Sequence, residues 1–224
     1  MNNMKWLAMA GLTVCAITAV MATIWNQPST GRNNGGLTAA SGTGVGTDPG
    51  KVLEGGELKP APGHQLAAFS GGCFWGTENV FRHVKGVTAT AVGYTGGHLA
   101  HPTYEDVCTH TTGHAETVLL EFDPKVVSYL DLLKTFWENH DPTTLDRQGP
   151  DEGNNYRSAI WCYSDEQLKI AQASKGRRQK LGTYPIVTTV LMAEKFWPAE
   201  TYHQQYDEKT GNNTCPIPNR VKGG

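Results

Sequence analysis

The chain has 224 residues, with 19 Lys or Arg against 21 Asp or Glu and a formal net charge of −2. This balance lacks the basic footprint of a nucleic-acid-binding protein, so we expect no nucleic-acid partner. Five cysteines without a C-x-x-C pair argue against a disulfide scaffold and a structural zinc site, and we expect neither metal nor cofactor.

The first segment is apolar and differs in composition from the rest of the chain. Residues 6–25 carry no charge and are mostly apolar, a length that suits a long signal peptide or a single membrane anchor. Cys15 only half matches a lipoprotein cleavage box, because Val14 stands where a small residue is expected. Anchor and cleaved signal both remain open for residues 1–25, and either places the rest outside the cytoplasm, periplasmic or exported.

A change of composition separates this segment from the folded part of the chain. Residues 26–63 are rich in Gly, Ser, Thr, Asn and Pro, and their apolar residues are isolated, which is typical of a flexible linker. Residues 64–224 are then enough for one domain with a single well-buried core.

The domain alternates between strand and helix patterns. Alternating or β-branched apolar residues predict strands over 65–70, 87–94, 116–122, 158–163 and 186–192. Helical spacing, with a capping box at Ser164, predicts helices over 73–84, 126–137, 164–181 and 199–206. This order predicts an α/β (α+β) fold, a two-layer sandwich on a mixed β-sheet, ending in an irregular tail. Two long polar loops, 96–113 and 140–156, are candidates for function.

Cys73 is the strongest candidate for chemistry. It follows Gly72 and precedes Phe74 and Trp75, where a predicted strand gives way to a helix. A thiol in the first turn of a helix meets free N–H groups and the positive end of the dipole, so we expect a lowered pKa and a thiolate. The neighbouring glycines permit close approach, and the two aromatic rings offer apolar walls. These neighbours weigh against the alternative of a buried structural cysteine.

Glu116 is the second candidate. If the alternation holds, it shares the core-facing side of its strand with Val118 and Leu120. Burial would then raise the pKa of the carboxyl and keep it protonated near neutrality, able to donate a proton to a substrate oxygen. The alternative is a strand-end glutamate that points to solvent, and the residues alone leave both open.

Other polar residues of the loops are weaker candidates. Tyr104 and Tyr156 are possible phenolic donors, or packing residues, and Asp151 is a possible site residue or an ordinary turn residue. Six histidines match no common zinc spacing, and we expect them to be solvated loop residues; they are His98, His101, His110, His114, His140 and His203.

Three further cysteines need separate interpretations. Cys215 lies in a tail rich in Asn and Pro, from which its thiol could condense with a sulfenic acid on Cys73 to give a disulfide, or be incidental. Cys108 is a weaker candidate for the same role, and Cys162 is expected in the core.

Residues 72–76, Gly-Cys-Phe-Trp-Gly, resemble the catalytic signature of the A-type peptide methionine sulfoxide reductases. Further blocks follow in the family's order, and the similarity runs from about residue 65 to residue 206; the blocks are residues 93–97, 102–104, 112–116, 140–143, 156–158 and 199–204. One such block would be weak evidence, but the series is specific.

The resemblance implies a ferredoxin-like reductase fold and an oxidoreductase that converts methionine (S)-sulfoxide, free or in peptides and proteins, to methionine, thereby repairing oxidised proteins. It implies that Cys73 attacks the sulfoxide sulfur while Glu116 protonates the oxygen. The remaining roles it implies are oxygen binding by Tyr104 and Tyr156 within a network that includes Asp151, and binding of the S-methyl group by Phe74 and Trp75.

The tail departs from the family pattern. Many members carry two glycine-flanked C-terminal cysteines, whereas this chain has only Cys215 after its last predicted helix. By the resemblance, Cys215 resolves the sulfenic acid on Cys73 into an intramolecular disulfide, which a thioredoxin-type protein reduces. The usual thioredoxin is cytosolic, so an exported chain leaves the reductant open. We expect a monomer whose N-terminal segment contacts the membrane if it is retained.

Two other functions compete with this interpretation. A cysteine acyl-transferase or hydrolase would need His114 as a base within hydrogen-bond reach of Cys73, together with an oxyanion hole. A non-enzymatic, anchored binding module would use Phe74 and Trp75 to hold methyl-bearing side chains.

Overall fold

The computed structural model describes residues 60–212. The predicted N-terminal segment, all but the last four residues of the predicted linker, and Cys215 lie outside the described residues. Within 60–212, no helix has the length and apolar character needed to cross a bilayer.

A six-stranded sheet with mixed strand directions forms the centre of the domain. The strands of the described region, in chain order, are β1 (Gln65–Gly71), β2 (Val87–Thr95), β3 (Ala115–Phe122), β4 (Arg147–Gln148), β5 (Asp151–Glu152), β6 (Ser158–Cys162), β7 (Thr189–Met192) and β8 (Trp197–Pro198). The sheet order is β7-β6-β1-β3-β2-β8, while β4 and β5 form a separate hairpin. Neighbouring strands of the large sheet are antiparallel except β6 and β7, which are parallel.

Five helices accompany these strands in the described region. They are α1 (Phe74–Arg82), α2 (Tyr104–Cys108), α3 (Tyr129–Glu138), α4 (Asp165–Leu181) and α5 (Tyr206–Thr210). Ser128 and Ser164 cap α3 and α4 by accepting a hydrogen bond from the backbone N–H three residues on, which fixes where each helix starts.

The larger core lies between the sheet and the helices. Phe69 of β1 stacks on Phe81 of α1 and Phe136 of α3, with ring centroids 4.9 and 5.1 Å apart. Each such fully buried side chain contributes about 1.5–3 kcal/mol of hydrophobic free energy. A smaller cluster with several alanines covers the opposite face of the sheet, around Leu119 and Trp161. β3 is therefore buried on both faces.

The predicted fold class, a two-layer α/β sandwich on a mixed sheet, is confirmed. The helix predicted over 199–206 is wrong: residues 201–205 form turns, and α5 starts only at Tyr206. Gln205 has a left-handed backbone (φ 55), and the Gln204 side chain bonds Val92 on β2, so tertiary contacts override the helical pattern. The pattern also missed α2, β4, β5 and β8, which are too short to show a period.

Candidate active site

Cys73 occupies the N-cap position of α1, directly after β1 and a two-glycine turn. Gly72 has φ +94, and a Cβ there would lie 2.5 Å from Cγ of Gln148. Only glycine satisfies both conditions without strain, so this residue allows the chain to turn from the strand into the helix. The turn leaves the Cys73 side chain half-buried at the helix N-terminus.

The expected low pKa of Cys73 is wrong. Burial, followed by the negative charge of Glu116, raises the pKa of the thiol to about 12. Hydrogen bonds from the backbone of Trp75 and Gly76 favour the thiolate, as a helix N-terminus should, but they are outweighed. The resting thiol is therefore protonated at neutral pH.

Glu116 lies near the start of β3, with only 2 % of its surface exposed. Oε2 accepts a hydrogen bond from Phe74 N at 3.1 Å, and Oε1 accepts one from Asn155 Nδ2 at 3.4 Å. Burial, with a smaller contribution from Asp151, raises the pKa of the carboxyl to about 8 against these two donors. The predicted burial is confirmed, and most of the carboxyl is protonated at pH 7.

The two predicted phenols and Asp151 belong to the same cluster. Tyr104 opens α2, and Tyr156 ends a 3-10 turn, Asn154–Tyr156. Burial raises the pKa of both hydroxyls, the charge of Glu116 adds to each, and Cys73 and Asp151 act on Tyr156. Burial also raises the pKa of Asp151. The structure thus brings Cys73, Tyr104, Asp151 and Tyr156 within electrostatic range of Glu116, with both phenols protonated as hydrogen-bond donors.

The two aromatic residues after Cys73 differ in exposure. The ring of Phe74 is 1 % exposed and packs against Tyr94 and His203, with centroids 5.9 and 5.1 Å away. Trp75 is half-buried, and its indole stacks on Tyr206 at 3.8 Å with an interplanar angle of 10°. Trp75 is therefore the aromatic wall within reach of a ligand, and Phe74 supports it from the core.

A polar network lies next to these rings, and the sequence analysis did not predict it. Nε1 of Trp75 donates to Nδ1 of His203 at 3.0 Å. Nε2 of His203 faces Oε2 of Glu200 at 3.9 Å, and Glu200 accepts hydrogen bonds from Tyr94 Oη and Tyr104 N. The family resemblance of residues 199–204 was the one available signal, because no spacing links this segment to Trp75.

The expectation of solvated histidines is wrong for His114, His140 and His203, which are buried. His114 accepts from Gly97 N at Nδ1 and donates from Nε2 to Leu99 O, so both nitrogens are occupied by backbone groups. Such pairing offsets the cost of burying a neutral imidazole, and it leaves His114 without a nitrogen for the Cys73 thiol. The acyl-transferase alternative lacks its base.

The other described thiols differ in environment. Cys162 is fully buried in the core, as predicted, with Sγ 3.7 Å from Tyr129 Oη. Cys108 is half-buried at the end of α2 and shares a hydrogen bond with Tyr104. Over residues 60–212, no three His, Cys, Asp or Glu side chains are grouped so that they could hold a metal ion.

Comparison with known proteins gives one family. The family model for peptide methionine sulfoxide reductase matches residues 65–223. The peptide methionine sulfoxide reductase MsrA of Methanosarcina mazei is 56% identical over 154 residues, 68% of this chain and 73% of that protein. Reduced Mxr1 of Saccharomyces cerevisiae superposes with a TM-score of 0.67 at 34% identity, covering 70% of this chain and 93% of Mxr1. Methionine sulfoxide reductase A of Corynebacterium diphtheriae gives 0.64 at 35% identity, covering 72% and 82%.

Proposed function

The chain belongs to the peptide methionine sulfoxide reductase family, and on that premise we propose that it reduces methionine (S)-sulfoxide, free or in peptides, to methionine. The observation that carries the proposal is a neutral carboxylic acid, Glu116, hydrogen-bonded to the residue next to the Cys73 thiol. A polarised sulfoxide needs an acid at oxygen and a sulfur nucleophile at sulfur, and this pair supplies both.

The first step transfers oxygen to Cys73. Glu116 protonates the sulfoxide oxygen, which Tyr104 and Tyr156 bind as donors, while Trp75 contacts the S-methyl group. The Cys73 sulfur then attacks the sulfoxide sulfur, and the thiol proton passes to the Glu116 carboxylate. The hydroxyl then moves from the substrate sulfur to the Cys73 sulfur, which breaks the substrate S–O bond and the S–S bond made by the attack and leaves methionine and a sulfenic acid on Cys73. The substrate sulfur gains two electrons and the cysteine sulfur loses two.

This sequence of proton transfers explains why a protonated thiol is compatible with reaction. The pKa of Cys73 is high partly because Glu116 opposes a second negative charge beside it. Once Glu116 has given its proton to the substrate, its carboxylate becomes the nearest base for the thiol. One carboxyl group therefore acts first as acid and then as base.

The second step regenerates the thiol. The Cys215 thiol condenses with the sulfenic acid, releasing water and forming a disulfide, which a dithiol protein of the thioredoxin type reduces. If residues 6–25 direct export, as their composition suggests, that dithiol protein must work outside the cytoplasm. We propose that the enzyme acts there as a monomer, anchored if the segment is retained.

The test uses the full chain and a peptide carrying one methionine sulfoxide, with the S and R epimers supplied separately. The wild type should convert the S epimer to one methionine per protein without added thiol, whereas Cys73→Ser should bind the peptide and convert none. Full turnover by Cys73→Ser, or conversion of the R epimer alone, would exclude the proposal. Peptide binding by both proteins without any conversion would instead support the binding module.

A further inference from the structure

His110 is an exposed residue in the loop between α2 and β3 with a left-handed backbone, φ 60. Non-glycine residues adopt this conformation at an energetic cost, which an interaction of the side chain can offset. Nδ1 of His110 hydrogen-bonds Oδ1 of Asn155 at 2.7 Å. Asn155 is fully buried and immediately precedes Tyr156 in the chain.

The buried amide of Asn155 connects the exposed His110 to the buried Glu116. Its Nδ2 donates to Oε1 of Glu116, so its oxygen must face His110. That oxygen can only accept, and His110 therefore carries a proton on Nδ1. The bond to Glu116 is long, 3.4 Å, and the bond to His110 is short, 2.7 Å, while the Asn155 side chain also hydrogen-bonds the Tyr156 side chain. Of the bonds to Glu116 and His110, the one to the imidazole therefore constrains the amide more strongly.

Further contacts connect the loop after α2, which carries His110, to the turn that precedes Tyr156. Nδ2 of Asn154 donates to the backbone oxygen of His110 at 3.0 Å. Gly153 has φ +137, and a Cβ there would lie 2.4 Å from the His110 ring. The glycine at position 153 therefore leaves room for the His110 imidazole beside the turn that ends at Tyr156. Through these contacts the loop after α2 is joined to that turn.

We propose that His110 is a positioning residue for acid catalysis, which orients the Asn155 amide toward Glu116 and joins the loop after α2 to the turn that ends at Tyr156. His110 does not contact the substrate. The inference rests on the proposed reductase function, since it assigns the residue a part in delivering the Glu116 proton.

The orientation of this amide has a consequence for the pH profile. A hydrogen bond donated to a carboxylate favours the charged form, so its loss raises the pKa of Glu116 and moves the alkaline decline in activity to higher pH. A substitution at His110 replaces none of the other titratable groups that act electrostatically with Glu116; they are Cys73 before α1, Tyr94 on β2, Tyr104 and Cys108 on α2, Asp151 on β5 and Tyr156.

The experiment separates the hydrogen bond from the backbone strain. His110→Gly relieves the strain but removes the donor, whereas His110→Asn keeps an N–H donor at the same distance from Cβ in a residue that tolerates φ > 0. His101→Gly is the matched control, because it relieves the same kind of strain at an exposed residue of the same polar stretch, 96–113, with φ 52, where the ring packs on Trp197. The rate constant kcat is measured against pH with a methionine sulfoxide peptide and dithiothreitol.

We expect His110→Gly to lower kcat about threefold to tenfold and to raise the alkaline midpoint by about half to one pH unit. His110→Asn and His101→Gly should keep the wild-type midpoint. An unchanged midpoint in His110→Gly, or an equal shift in His101→Gly, would overturn the assignment while leaving the proposed function intact. A wild type that reduces no sulfoxide would refute the function itself. A carbon NMR titration of the Glu116 carboxyl in wild type and His110→Gly gives the same comparison without turnover.

Discussion

The backbone N–H of Phe74 donates a 3.1 Å hydrogen bond to Oε2 of Glu116, which joins the first residue of α1 to the start of β3. Since Phe74 directly follows Cys73, this bond holds the proposed acid beside the proposed nucleophile. The charge of the Glu116 carboxylate then disfavours ionisation of the Cys73 thiol, in addition to burial, while burial keeps the carboxyl itself largely protonated. The resting pair is kept protonated, and in the proposed mechanism the substrate oxygen takes the first proton from it.

The raised pKa of Glu116 predicts the alkaline limb of activity. The acid is protonated below its pKa of about 8, so kcat should fall as the pH rises through that value. Glu116→Gln should lower kcat by about 10²–10⁴-fold and abolish this limb, because general acid catalysis contributes that much. Peptide affinity, measured by calorimetry, should stay nearly unchanged. An unaltered rate in Glu116→Gln would remove the proposed acid role.

Cys215 should be needed for recycling and not for the first turnover. Cys215→Ser should release one methionine per protein without added thiol and then stop when a thioredoxin-type protein is the reductant, since no disulfide forms. Mass spectrometry after one wild-type turnover should find Cys73 linked to Cys215. Normal recycling of Cys215→Ser, or a disulfide from Cys73 to Cys108, would contradict this assignment.

His203 should affect substrate binding more than chemistry. His203→Ala leaves the indole N–H of Trp75 without its acceptor and loosens the wall proposed to contact the S-methyl group. Losing one such hydrogen bond should raise KM about fivefold to tenfold while kcat changes less than twofold. His98→Ala, at an exposed loop histidine, serves as the control. A fall in kcat at constant KM would argue against the positioning of Trp75 by His203.

Gln204 should stabilise the whole domain. Its side chain accepts from Val92 N and donates to Val92 O, each at 2.8 Å, next to the point where the pairing of β2 with β8 begins at Gly93. Gln204→Ala leaves a buried backbone N–H without a partner and should lower the free energy of unfolding by about 2 kcal/mol. Lys209→Ala, at an exposed site on α5, should cost less than about 0.5 kcal/mol. Urea denaturation compares the two, and equal costs would show that this hydrogen bonding contributes little.

Local signals predicted the parts of the fold that are long or explicitly capped. The capping serine Ser164 marked the start of α4, and the apolar alternation from Val118 to Phe122 marked β3. The segment 199–206 was misassigned because Gln204 and His203 use their side chains for contacts with β2 and Trp75. Those partners lie about a hundred residues away in the chain, and no local period reports them.

The sequence alone placed Cys73 at a strand-to-helix junction, which is a local pattern, and its family resemblance singled out Glu116 as the proposed acid, although the residues alone left the burial of that carboxyl open. It also determined the layer architecture, through the order of periodic segments. Tertiary structure alone decided that Cys73 is a protonated thiol, that Trp75 rather than Phe74 is accessible, and that His114 is engaged with backbone groups. Those properties follow from burial and from charges contributed by chain-distant segments, and both exist only after the chain has folded.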